Sequence, residues 1–290
     1  MNALPQEFIH NLVCAALTED IGAGDITTEA AIPADQRAEA CIVAKEACVV
    51  AGLPLVEAVF MQIDRAVAVK LLVGEGDVVK KGTRVCVLEG AARGILTGER
   101  TALNFLQRLS GIATLTHQFV AKIAQASVRV KPKILDTRKT TPTLRILEKY
   151  AVAVGGGSNH RMGLFDAVMI KDNHRVVLAR RGPRALGDAV AFARKNHPST
   201  PIIIEADNLE QVEEALAAGA DHILLDNMTP DELREAVTLV GGRAKTEASG
   251  GVRLDTVTAI ANAGVDYISV GALTHSAQAV DFSLEIQDGD

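Results

Sequence analysis

Ala218-Gly219-Ala220-Asp221-His222-Ile223 returns further along the chain as Ala263-Gly264-Val265-Asp266-Tyr267-Ile268. Each copy reads as a helix end, a tight turn and an entering strand, which makes the pair a repeated α/β unit of the kind that builds barrels. Strand-like runs spread outward from it: Lys133–Asp136, Ala151–Val154, Ala167–Ile170, Ile202–Glu205, His222–Asp226, Ala244–Ala248 and Tyr267–Val270. Most are short and apolar throughout, the pattern of parallel strands covered on both faces. Between them, Thr229-Pro230-Asp231-Glu232 is a capping box with Pro at the first helical position. It opens a helix that presents Leu233, Val237 and Val240 and stops at Gly241-Gly242. Another helix starts near Leu209, presents Val212 and Leu216, and stops at Gly219. The runs number seven, one short of a full barrel, so the expected fold is α/β with an open seven-stranded, TIM-barrel-like α/β barrel.

The preceding stretch has a different grammar. From about Ala38 to Leu88 it is rich in Val and Ile and punctuated by Gly74, Gly76, Gly82 and Gly90, as in a small sheet. Gly76-Asp77-Val78-Val79-Lys80-Lys81-Gly82 has the look of a carrier-domain turn, but no hairpin lysine of the carrier type follows, so it reads as a Gly-closed β-turn. Leu4–Leu17 is expected to be a helix, Glu19–Thr27 a loop, and Thr97–Leu109 a helix capped by Thr97, with Leu103, Phe105, Leu106 and Leu109 on its apolar face. Leu115, Phe119, Val120 and Ile123 continue a helical stripe.

The 290 residues are 48% apolar, which allows a sizeable core and excludes disorder and a disulfide-stapled miniature. A net charge of −6 disfavours a general nucleic-acid binder. No apolar run approaches the ~20 residues needed to cross a bilayer, and no signal peptide is readable. Cys14, Cys41, Cys48 and Cys86 form no CxxC pair and read as reduced, buried thiols, which fits a cytoplasmic protein.

Chemistry gathers where the strands end. Asp136-Thr137-Arg138-Lys139-Thr140 follows the first, Gly155-Gly156-Gly157-Ser158-Asn159-His160-Arg161 the second, and Lys171-Asp172-Asn173-His174 the third. Glu205, Asp226-Asn227, Glu247-Ala248-Ser249-Gly250-Gly251 and Gly271 close the others. In a barrel all of these converge on one mouth. Arg138, Lys139, His160, Arg161 and Lys171 make a cationic half, Glu205 and Asp226 an anionic quarter, and Ser249-Gly250-Gly251 with Gly271-Ala272 offer backbone N–H groups to a phosphate, helped by the helix N-termini that follow. The −6 is unevenly spread: Lys131–Ala185 carries +8 and the rest of the chain −14, so a polyanionic ligand is expected at this mouth. The bare triple Gly is not a dinucleotide fingerprint.

These motifs, together with Glu19-Asp20, Gly24-Asp25-Ile26-Thr27-Thr28, Glu99-Arg100, Ser110-Gly111-Ile112-Ala113-Thr114 and Thr141-Pro142, closely resemble the quinolinate phosphoribosyltransferase family along nearly the whole chain. The resemblance implies an N-terminal α/β sandwich over residues 1–111, to which 276–290 return, and an open barrel over 112–275. It implies the joining of quinolinate to 5-phosphoribosyl 1-diphosphate, with release of diphosphate and carbon dioxide, in NAD biosynthesis. It further implies a homodimer or higher homo-oligomer in which Arg100 reaches the neighbouring site. Arg138, His160, Arg161 and Lys171 would hold the two carboxylates, as Arg forks do. Thr137 and Thr140 belong to the same binding segment, and Lys139 would lie near the diphosphate. Glu205 and Asp226 would hold the ribose hydroxyls, steady its developing positive charge and orient Mg²⁺ through water. Ser249, Gly250, Gly251, Val270, Gly271 and Ala272 would cradle the 5-phosphate. Lys139, Lys171, Glu205 and Asp226 are thus the expected catalytic set. A paralogous phosphoribosyltransferase-like protein with another substrate, and a barrel aldolase with Lys171 as Schiff-base nucleophile, are the alternatives.

Overall fold

Short apolar runs become strands or helices according to what covers them, and the structure, a computed structural model, describes this for residues 4–182 and 184–287. The chain opens with α1 (Gln6–Ile21) and α2 (Ile26–Ala31), the latter capped by the Asp25 carboxylate, which accepts from the Thr28 N–H at 3.0 Å. Then come β1 (Arg37–Ala44), β2 (Cys48–Val49), α3 (Leu53–Ile63), β3 (Ala68–Leu71), β4 (Val78–Val79), β5 (Arg84–Ala91) and α4 (Ala92–Ala124). The rest mostly alternates: β6 (Lys133–Leu135), α5 (Arg145–Val154), β7 (Val168–Ile170), α6 (Asp172–Ala179), α7 (Ala185–Asn196), β8 (Ile202–Ala206), α8 (Leu209–Ala218), β9 (His222–Asp226), α9 (Pro230–Val240), β10 (Lys245–Ser249), α10 (Val257–Asn262), β11 (Tyr267–Ser269), α11 (Ala272–His275) and β12 (Phe282–Ile286). No described helix is long and apolar enough to cross a membrane.

The chain divides into two compact units. One comprises Met1–His117, Ile146–Gly156 and Ser276–Asp290. Its sheet runs β12-β1-β5-β3, antiparallel throughout, with Ala40 of β1 opposite both Leu88 of β5 and Ile286 of β12. Cys41, Cys48 and Cys86 are buried here as free thiols, and burial pushes Cys48 up to about 11 and Cys86 up to about 12. The helix expected to begin at Thr97 is longer than its apolar face suggests. Thr97 lies inside α4 and its hydroxyl donates to Asp25 Oδ2 at 3.0 Å instead of capping. Ser110-Gly111 does not interrupt α4, because the missing side chain at Gly111 admits the Gln278 carbonyl: a Cβ there would lie 2.0 Å from that oxygen.

The second unit comprises Gln118–Arg145 and Gly157–His275. Its strands are all parallel, in the order β6-β11-β10-β9-β8-β7. The first strand pairs with the last, as in a barrel, while no ladder joins β6 to β7 among the described residues. Six strands are formed, not seven. Ala151–Val154, expected as a strand, is the end of α5, buried on nearly every side. A short run with no polar face is compatible with either element, and here the helix wins. The position of a seventh strand is held by Ser158 alone, whose N–H donates to Ile134 O at 2.8 Å and whose carbonyl accepts from Asp136 N–H at 3.2 Å.

The internal repeat has a physical meaning. Asp221 and Asp266 each stand just before a strand and turn their carboxylates onto the first or second residue of the neighbouring one. Asp221 Oδ2 accepts from Ile202 N–H at 2.8 Å, and Asp266 Oδ2 from Thr246 N–H at 2.9 Å. Each is balanced by a cation, Arg194 for Asp221 and Lys245 for Asp266, both at 2.8 Å. The repeat therefore fixes how neighbouring strands start relative to one another, and so where they end. Helices α8 and α9 stop at Gly219 and Gly241 as the sequence indicates, and the Thr229–Glu232 capping box is formed.

Removing one of these acceptors should be felt. Asp266→Ala leaves the Thr246 N–H and hydroxyl without it, and is expected to cost about 1–3 kcal/mol. Urea denaturation measures this, and an unchanged midpoint would show that the carboxylate carries no such load.

Candidate active site

Side chains alternate along a strand, so the residue that ends a strand and the one two places before it face the same way. At the C-terminal ends of β6–β11 they line a cavity of about 710 Å³. Of the expected residues it brings together Thr137, Arg138, Lys139, His160, Arg161, Lys171, Glu205, Asp226, Ser249, Gly250, Gly251, Gly271 and Ala272. Thr140 and Val270 are not in the lining: the Thr140 hydroxyl accepts from Arg145 Nε at 3.0 Å, and Val270 is buried. Arg100 is exposed on α4, in the other unit. Met169, Leu224, Glu247 and Ser269 also line the cavity, although the sequence reading assigned none of them a role and named Glu247 only within a strand-end run. The signal was available: they stand two places before Lys171, Asp226, Ser249 and Gly271. Leu224 and Met169 pack with Ala167 and Ile203 as an apolar floor.

The cationic side is built around a buried carboxylate. Asp136, wholly buried at the end of β6, accepts from His160 N–H at 2.8 Å and Asn159 Nδ2 at 2.6 Å. The two motifs that read separately in the sequence are thus one knot. Arg161 Nη1 donates to Ala167 O at 3.0 Å. Burial first, then the Arg138 guanidinium, push the Arg161 pKa down. Arg138 Nε is buried without a hydrogen-bond partner among the described residues. Two guanidiniums in mutual repulsion, one with an unmet donor, form a receptor for an anion.

Opposite them, Glu205, Asp207 and Asp226 each offer a carboxylate oxygen, all within 4.8 Å of one another. Glu205 lies 3.6 Å from Lys171 Nζ, and its Oε1 accepts from Asp172 N–H at 3.4 Å. Burial raises its pKa against the opposing pull of Lys171. After β10 the chain turns sharply: Gly250 has φ +91°, and a Cβ there would lie 2.1 Å from Asn227 Oδ1. The glycine pair is not at a helix start, since α10 begins only at Val257, whereas Gly271-Ala272 leads directly into α11. At the cavity floor, Glu247 Oε2 is 3.0 Å from His222 Nε2 and 3.3 Å from His160 Nε2. These distances are close, but the angles fall outside hydrogen-bond geometry at His222 and at both carboxylate oxygens.

A parallel α/β sheet whose strand ends set paired guanidiniums against clustered carboxylates defines an enzyme for anionic small molecules. The quinolinate phosphoribosyl transferase N-terminal domain profile matches residues 25–110, and the C-terminal domain profile matches residues 112–285. The chain belongs to the quinolinate phosphoribosyltransferase family. It is 43% identical to the probable nicotinate-nucleotide pyrophosphorylase (carboxylating) of Bacillus subtilis, over 92% of this chain and 90% of that one. It is 42% identical to quinolinate phosphoribosyltransferase (decarboxylating) 1b of Nicotiana tabacum, over 98% of this chain and 84% of that one. The nicotinate-nucleotide pyrophosphorylase structure from Francisella tularensis superposes with a TM-score of 0.91 at 39% identity, covering 99% of this chain and 98% of that one.

Burial pushes the Glu247 carboxyl up, but the imidazoles of His160 and His222 more than offset it and hold it at about 2, below its ordinary 4.5. A carboxylate depressed in the folded state stabilises the fold above about pH 4.5 and loses that contribution as the pH falls toward 2. Urea titrations of the wild type and Glu247→Gln should differ most near neutrality and converge in acid. A gap that stays constant with pH would show that the carboxyl is not held down.

Proposed function

We propose that this chain joins quinolinate to 5-phosphoribosyl 1-diphosphate, forming nicotinate mononucleotide, diphosphate and carbon dioxide. The observation that carries the reading is the Arg138–Arg161 pair, with its unmet donor, across one cavity from Glu205 and Asp226. Quinolinate brings two adjacent carboxylates, which suit the forks of Arg138 and Arg161, with Lys171 and His160 beside them. Its ring nitrogen attacks the ribose carbon that bears the diphosphate, and the bond to the leaving oxygen breaks. Positive charge grows on the sugar as it does so, and Glu205 and Asp226 face that charge. Lys139 meets the departing diphosphate. As carbon dioxide leaves, the electron pair of its bond stays on the ring carbon, stabilised by the adjacent positive nitrogen, and a proton then adds to that carbon. Backbone N–H groups of Ser249–Gly251 and of Gly271-Ala272 hold the 5-phosphate.

The three carboxylates fit Mg²⁺, a hard cation that takes oxygen donors and keeps its waters. Glu205 and Asp226 would hold it through water, with Asp207 the further donor that the sequence reading missed. Bound there, it would supply charge neutralisation to the diphosphate. Arg100, remote in sequence and exposed on α4, serves the neighbouring subunit's site in a homodimer or larger homo-oligomer. The aldolase reading fails on Lys171, whose side chain is 46% exposed and beside Glu205, whereas a Schiff-base lysine needs a desolvated setting.

Nicotinate mononucleotide should form from quinolinate, the diphosphate donor and Mg²⁺, and not from nicotinate. Arg161→Ala should weaken quinolinate binding by roughly a hundredfold, the scale for a buried charge that loses its partner, without unfolding. Calorimetry with quinolinate checks this, and wild-type affinity in the folded variant would remove Arg161 from the clamp.

Arg100→Ala should be inactive alone but regain part of the activity when mixed with inactive Lys171→Ala, because one intact site forms in each mixed dimer. Absence of rescue in demonstrated mixed dimers would mean that the site is not shared.

A further inference from the structure

Glu247 is wholly buried beneath the cavity, on β10, and no step of the reaction uses it. Two imidazoles converge on the same oxygen, Oε2. One of them, His160, is held at its other end too: Nδ1 accepts from the Arg161 N–H at 2.6 Å. The Arg161 contact leaves Nδ1 bare toward the backbone, so the neutral ring carries its proton on Nε2, the nitrogen that stands 3.3 Å from Glu247 Oε2. The second imidazole, His222, stacks near His160 with ring centroids 6.5 Å apart and leans on Tyr267 at 5.3 Å, so the carboxylate is gripped from a rigid side.

We propose that Glu247 is a positioning residue: through His160 it fixes the backbone at Arg161 and so aims that guanidinium at the quinolinate carboxylates. The chain of contacts runs from β10 through His160 to the Arg161 loop, and Glu247 itself makes no contact with substrate in the reaction proposed above. It explains why an acid is buried under a cationic mouth when a neutral side chain would pack at lower desolvation cost. The proposal rests on the reading of this mouth as a quinolinate site.

The test has one arm that needs no substrate. In imidazole-¹⁵N-labelled protein, the His160 ring, assigned by the signal lost in His160→Gln, should show the Nε2-protonated pattern. Glu247→Gln should lose or mix that pattern. In the second arm, Glu247→Gln should raise KM for quinolinate on the order of tenfold, as expected of a displaced binding group. KM for 5-phosphoribosyl 1-diphosphate should move less than about twofold on the same reasoning, since that substrate does not depend on Arg161. Glu247→Asp keeps the charge and should restore most of both signals; it also carries the test if the Gln variant does not fold. An unchanged tautomer with an unchanged quinolinate KM overturns the proposal. So does a parallel rise in both KM values with loss of thermal stability, which marks a purely structural role. If the wild type does not use quinolinate, the functional reading fails, while the tautomer arm still reports whether Glu247 holds His160.

Discussion

Two guanidiniums held against each other in a half-buried mouth are a constraint the rest of this unit has to meet. Arg138 and Arg161 repel, and burial removes the water that would screen them. Left to themselves the two loops would swing apart. Asp136 prevents this, because one carboxylate ends β6 and takes hydrogen bonds from both Asn159 and His160. The loops are tied at their roots, and only the charged ends face the cavity.

That knot can work only if the strand ends are themselves fixed. Parallel strands with evenly slanted hydrogen bonds offer no hairpin turn to set their register. Here part of that role falls to the repeated Asp just before the strands, whose side chain grips an N–H near the start of the neighbouring strand. Register set at the N-terminal edge is carried through rigid ladders to the C-terminal edge, where Glu205, Asp226 and Ser249 emerge in adjacent strands. Stability and chemistry thus occupy opposite ends of the same strands.

Much of this could be read before any coordinates. The Gly-Asp repeat, the Thr229–Glu232 capping box and the polar residues after each strand lie in local sequence, and local rules reach them. Ala151–Val154 could not be read locally, since a wholly buried helix end and a buried strand have the same composition. Thr97 misled for a related reason: a hydroxyl before an apolar face is a cap only if the helix has not already begun, and α4 begins at Ala92. Thr140 and Val270 came with the family resemblance; the Thr140 hydroxyl is engaged by Arg145 and the Val270 side chain is buried, so neither lines the cavity. Glu247 and Leu224 each stand two places before a strand-end residue, and the alternation of side chains along a strand, counted backward, points both into the cavity.

The net charge has the same lesson in electrostatic form. A total of −6 describes the whole chain and nothing of the mouth, where Lys131–Ala185 carries +8. Nor does a local sum describe what a substrate meets, because sign depends on depth. Asp136 and Glu247 are wholly buried, below the Arg138, Arg161 and Lys171 heads that face the cavity. Buried anions behind cations at the cavity wall hold the cations oriented while leaving their cavity-facing ends open to a ligand. A dianion entering such a layer meets positive charge already fixed in place by negative charge behind it. Little reorganisation remains to be done when it binds, which is the condition under which electrostatic attraction is most effective.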